Sequence, residues 1–169
     1  MLEQEKKNTE KQRYLEACDL LDQAEFAQAE VIFRDLVADD SDEPLYWNKL
    51  GSLLARTERL TEAKSCFEKA LSLNPEQIAS LTNLGNVYFQ EGNLIEAENL
   101  HRQALAIQPD YQIARQNLSV ILKQQNRYKE LISLQKHGST KGKKKLLGCL
   151  PIFAIGTGTI VLIYNSLTS

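Results

Sequence analysis

The sequence predicts an all-α solenoid of stacked helix pairs, and two observations carry that reading. A shift of 34 residues lays Leu50-Gly51 on Leu84-Gly85, Ala63 on Ala97, Ala70 on Ala104, and Asn74-Pro75 on Gln108-Pro109. Within each unit apolar residues recur at helical spacing, as Trp47, Leu50, Leu54 and then Leu81, Leu84, Tyr88. A fixed period of this length means that each unit buries its apolar face only against its neighbours.

Taken in order, residues 1–9 are polar and charged and read as a flexible N-terminal arm without a signal-peptide core. Residues 10–43 fit the same frame as a degenerate first repeat. Tyr14, Ala17, Leu20 and Leu21 form one helix face, Ala29, Phe33 and Leu36 the next, and Ala17 takes the place of the repeat glycine. The acidic run Asp39-Asp40-Ser41-Asp42-Glu43 reads as a solvated loop and helix cap ahead of Pro44, not as a calcium loop, because spaced ligands and a glycine are missing.

Residues 44–77 and 78–111 are the two clear repeats. Gly51 and Gly85 lie inside helices, where Gly costs about 1 kcal/mol relative to Ala. That cost implies close helix contact, with Ala63 and Ala97 expected as the small partners. Turns are expected at Thr57-Glu58-Arg59 and Gly92-Asn93, and Pro75 and Pro109 close the units. Residues 112–137 continue as a partial capping repeat, with Leu118, Ser119 and Leu122 in frame, then Leu131 and Leu134.

Trp47, Leu50, Gly51, Leu54, Ala63, Phe67, Ala70 and Pro75 stand where the tetratricopeptide (TPR) signature has its residues. Leu81, Leu84, Gly85, Tyr88, Ala97, Ala104 and Pro109 repeat the match, with His101 in place of the usual aromatic. The chain therefore resembles the TPR family. That resemblance implies a binding scaffold rather than any particular reaction.

Residues 138–145 form a basic linker containing Lys141, Lys143, Lys144 and Lys145. The formal net charge of −2 hides an asymmetry: residues 1–140 hold 16 basic against all 22 acidic residues, and the remaining four lysines follow in one run. Residues 146–164 are 19 residues without a charge, ten of them Leu, Ile, Val or Phe. As a helix they would reach roughly 28 Å, close to the ~30 Å hydrocarbon core of a bilayer. They are expected to form a C-terminal transmembrane helix with a short tail, 165–169. The flanking lysines place the repeats on the cytoplasmic side or its equivalent, against lipid headgroups. An additional capping helix is the weaker alternative, because the segment is apolar all round.

Cys18, Cys66 and Cys149 form no pair with metal-ligand or redox spacing, and His101 and His137 have no carboxylate or Cys constellation beside them. No phosphate loop or nucleophile elbow is present. The folded part lacks the basic face of a nucleic-acid binder. No enzyme, cofactor, metal or small-molecule substrate is therefore expected. The expected partner is a protein or peptide, held in the concave groove lined by the first helices.

The candidate groove residues are Asn48, Lys49, Ser52, Thr82, Asn83, Asn86, Gln116 and Asn117. Asn83 and Asn117 are one period apart, resembling the asparagine ladder of peptide-binding TPR arrays, and an amide suits a peptide main chain. The family's clamp for chaperone tails needs basic residues on the first and third first helices; Asn48, Ser52, Ile113 and Asn117 do not supply them, and only Asn83 fits. The reading is a membrane-tethered adaptor or assembly scaffold. The tail-anchored layout resembles mitochondrial fission adaptors, while the regular repeats look more like bacterial or plastid arrays, photosystem assembly factors among them.

Overall fold

The computed structural model describes residues 2–138, and helix boundaries along it keep the 34-residue frame. Among the described residues there are eight helices and no strand: α1 (Leu2–Asp22), α2 (Phe26–Asp39), α3 (Pro44–Arg56), α4 (Leu60–Leu73), α5 (Ile78–Gln90), α6 (Leu94–Ile107), α7 (Gln112–Gln124) and α8 (Tyr128–Gly138). None of the described helices is long and apolar enough to cross a membrane. The four flanking lysines, Cys149 and the segment read as a span lie outside the described residues.

The expected N-terminal arm is corrected: α1 starts at Leu2, so residues 2–9 are helical. Residues 4–9 are nonetheless solvent exposed, and Lys6 pairs with Glu10 one turn on at 3.5 Å. Helix there comes from local propensity rather than from burial.

Each turn inside a helix pair is made the same way. Ala24, Glu58, Gly92 and Asn126 recur every 34 residues, and all have φ between 57° and 79°. The residue after each donates its N–H five residues back, as Arg59 does to Leu54 O at 2.9 Å and Asn93 to Tyr88 O at 2.8 Å. This satisfies carbonyls that the ending helix leaves open. Left-handed backbone suits Gly92 and is strained for a residue with a Cβ. Glu58→Gly should therefore raise the unfolding midpoint, by about 0.5–1 kcal/mol of stability, whereas the same change at exposed Glu68, inside α4, should lower it.

Other ends are capped by the side chains beside them. Glu43 accepts from Leu45 N at 3.0 Å ahead of Pro44, and Trp47 Nε1 donates to Ser41 O at 2.8 Å, so the acidic run is a cap and loop. Asn93 accepts from Glu96 N at 3.3 Å to start α6.

Successive helices pack along the chain, and the first helices also touch one another, α1 with α3, α3 with α5 and α5 with α7. The second helices stand further apart. Crowding on one side and splay on the other makes the first helices the inner, concave lining. The core runs between the layers, and Phe33, Phe67 and His101, one period apart, are each fully buried on the second helices. A Cβ built on Gly51 would stand 2.7 Å from the Phe67 ring, and one on Gly85 would stand 2.9 Å from that of His101. Ring positions, not Ala63 and Ala97, are therefore the nearest partners of the glycines. A large flat side chain on one helix takes the room that the other helix vacates.

On the splayed side, long ionic side chains bridge the second helices. Glu30 lies 2.8 Å from both Arg34 and Arg59, and Glu62 lies 2.7 Å from Arg59. Two periods on, the same quartet returns: Glu98 lies 2.8 Å from Arg102 and 2.5 Å from Arg127, while Glu130 lies 2.7 Å from Arg127. Burial pushes the Glu30 and Glu98 carboxyls up, but the hydrogen bonds and charges of their two arginines outweigh it and hold both below the usual range. The interface between the two quartets has Lys64 on Glu91 at 2.7 Å instead. These are exposed pairs that align repeats more than they hold them together.

Candidate functional site: the concave groove

The expected groove residues fall into three groups. Asn48 and Thr82 are buried, 5% and 2% exposed, so they are corrected from groove-facing to packing positions. Thr82 Oγ1 donates to Ile78 O at 2.8 Å within its own helix. Lys49, Ser52, Asn83, Asn86 and Asn117 are half-buried, and Gln116 alone is fully open to solvent.

The asparagines meet, but chiefly each other. Asn83 Nδ2 donates to Asn48 Oδ1 and to Ser52 Oγ, both at 3.1 Å, joining α5 to α3. Ser80 Oγ lies 3.1 Å from the same Asn48 oxygen, buried between repeats. Asn117 Nδ2 donates to Asn86 Oδ1 at 2.7 Å, joining α7 to α5. These donors fasten one repeat to the next. Replacing Asn83 with Ala removes two hydrogen bonds worth about 0.5–1.5 kcal/mol each, partly offset by the better helix propensity of Ala. Net loss should be about 1 kcal/mol in denaturant unfolding. Asn117→Ala, losing one such bond, should cost less.

What remains open along the groove is a pair of pockets. Between α3 and α5 lies one of about 360 Å³, lined by Ser52, Arg56, Phe67, Asn83, Asn86 and Gln90 among others. Between α5 and α7 lies one of about 110 Å³, lined by Asn86, Phe89, His101, Asn117 and Val120. The two are one period apart: Ser52 becomes Asn86, Phe67 becomes His101, Asn83 becomes Asn117, and Asn86 becomes Val120. Arg56 at the first pocket is held from behind, its Nη1 donating to Leu21 O at 2.9 Å and its guanidinium 5.0 Å from the Phe26 ring.

His101 is the chemically distinct member. Both ring nitrogens are buried without a hydrogen-bond partner, and burial pushes the imidazole down to about 4, so it is neutral near pH 7. Sequence reading assigned His101 to packing and missed its place in the groove. The signal was the 34-residue frame itself, which aligns His101 with Phe67 behind the asparagines. Burial likewise pushes the Cys66 thiol up to about 11, which leaves it protonated and unreactive.

A stack of helix pairs with pockets between successive inner helices defines a solenoid of the protein-binding class. Residues 42–110 match the family model of the tetratricopeptide repeat, so the chain is built on TPR units. No curated protein matches the sequence. Among solved structures, the crystal structure of MamA is similar at 19% identity and a TM-score of 0.72, over 81% of this chain and 80% of that one. The first TPR of Spaghetti (RPAP3), bound to the HSP90 peptide SRMEEVD, is similar at 18% identity and a TM-score of 0.66, over 69% of this chain and 93% of that one. A mutant O-GlcNAc transferase of Thermobaculum terrenum is similar at 23% identity and a TM-score of 0.65, over 68% of this chain but 22% of that one. These likenesses describe the fold.

Proposed function

We propose that this protein is a non-catalytic adaptor that holds an extended segment of a partner protein in its concave groove while tethered to a membrane through residues 146–164. The observation that carries the reading is the run of two period-related pockets between successive inner helices. Side chains of a segment laid across the repeats would enter them in turn. The peptide-bound Spaghetti repeat gives the same fold a precedent for holding a peptide. Here Ser52, Asn83, Asn86 and Asn117 supply hydroxyl and amide groups, so the groove favours a neutral segment over an acidic chaperone tail.

The tether rests on the uncharged 146–164 segment behind four lysines. It would confine the groove to the membrane surface and raise its effective concentration towards partners there. Each lysine near anionic headgroups adds about 1 kcal/mol.

A photo-crosslinking residue placed at exposed Gln90, on the groove, should trap a partner from native membranes. The same residue at exposed Glu68, on α4, should not. Equal adducts from both positions would reject the groove as the binding surface. Full-length protein released by alkaline carbonate would reject the tether.

A further inference from the structure

The pocket between α5 and α7 has a floor that the fold leaves unsatisfied. His101 is 0% exposed, and neither Nδ1 nor Nε2 has a partner. The ring edge carrying both nitrogens lies against Gly85, within 3.2 Å of where a Cβ would stand, so that position of α5 offers no side chain to meet it. An unpaired buried polar group is costly, and at this place in the two preceding repeats Phe33 and Phe67 avoid the cost. The imidazole lines a pocket that opens into the groove, where a ligand can reach it.

The walls say which ligand. Phe89 and Val120 are apolar, Asn86 and Asn117 are amides, and no charged side chain lines the pocket. A carboxylate or ammonium would be desolvated there without a counter-charge. A neutral imidazole offers one donor and one acceptor. The complementary group is one that also both donates and accepts: a carboxamide or a hydroxyl. At about 110 Å³, against a water's share of about 30 Å³, the pocket takes a few heavy atoms and no aromatic ring.

We propose that this pocket is a specificity subsite that receives the carboxamide or hydroxyl end of one neutral side chain of the bound segment, with His101 donating to it and accepting from it. The proposal rests on the groove reading above and adds the chemistry of one position.

The test uses the full chain in detergent and two kinds of probe. The chain has two histidines, His101 and His137, so ring nitrogen resonances are readily assigned by comparison with His101→Phe. Isobutyramide or isopropanol should shift the His101 ring nitrogens saturably at pH 7, and isobutyrate should not. The more effective of the first two separates Asn/Gln from Ser/Thr as the side chain taken. Across a library of extended peptides, wild type should select such residues at one position by about tenfold. His101→Phe should still capture peptides but lose that selection.

Silence of the His101 ring to both neutral probes, water alone remaining on it, overturns the proposal. So does stronger binding of isobutyrate, or identical peptide selection by wild type and His101→Phe. In that last case the groove reading survives. Shifts from the neutral probes with no peptide captured by either protein would support the subsite chemistry and reject the groove reading instead.

Discussion

His101→Phe should make the protein more stable, and most visibly so in mild acid. Its imidazole is pushed down to about 4 by burial, from an ordinary value of 6.5. The unfolded chain therefore takes up this proton first as pH falls. Stability is fully present above about pH 6.5 and is lost progressively as pH drops towards 4. At 1.36 kcal/mol per pH unit the loss is about 2 kcal/mol by pH 5 and about 3 kcal/mol near pH 4. The arginine-held carboxyls of Glu30 and Glu98 fail lower, below their ordinary value of 4.5, so the window from 6.5 to 5 isolates the histidine. Phenylalanine has no proton to gain and no unpaired nitrogen to bury. Opposite Gly51 the fold already accommodates a phenylalanine at the equivalent place. The variant should gain about 1–2 kcal/mol at pH 7, with a larger advantage at pH 5, in urea unfolding followed by circular dichroism. Parallel pH profiles for wild type and variant would show that the imidazole finds a partner in solution.

Phe67→Ala should be the most damaging single change in the array. The ring is fully buried, and truncating a buried Phe costs about 3–5 kcal/mol, a large share of the 5–15 kcal/mol typical of a domain. It also sits between helices that carry the stack to both sides, so both interfaces loosen. The partner position sharpens the test. Gly51→Ala alone drives a Cβ to 2.7 Å from the ring, and overpacking of this kind costs about 1–3 kcal/mol. With Phe67 already truncated that clash is gone, and the better helix propensity of Ala contributes about 1 kcal/mol instead. The Gly51→Ala effect should therefore change sign between the two backgrounds. A coupling energy near zero in this double-mutant cycle would mean that Gly51 is present for some reason other than the ring.

Periodicity made the scaffold legible. Leu50-Gly51, Ala63, Ala70 and Pro75, with their counterparts one period on, were enough to place the helix pairs, because a helix must repeat its apolar positions and a solenoid must repeat its contacts. The turns at Glu58 and Gly92 and the cap before Pro44 were readable for the same local reason: their chemistry involves neighbours a few residues away. The helical start at Leu2 was not. Charged residues with good helix propensity look the same in an arm and in a helix that buries nothing.

The groove was legible only in outline. The 34-residue period set Asn83 and Asn117 one repeat apart, yet only the packing of α3 on α5 and α5 on α7 decided that their amide donors serve Asn48, Ser52 and Asn86 rather than solvent. Side chains one period apart share a face, but how near those faces come is set by every layer of the stack together. His101 followed the same division. Its place in the frame was written in the chain, whereas the burial of both ring nitrogens, the neutral imidazole and the pocket above it arise only when Gly85, Phe89 and Val120 close around the ring.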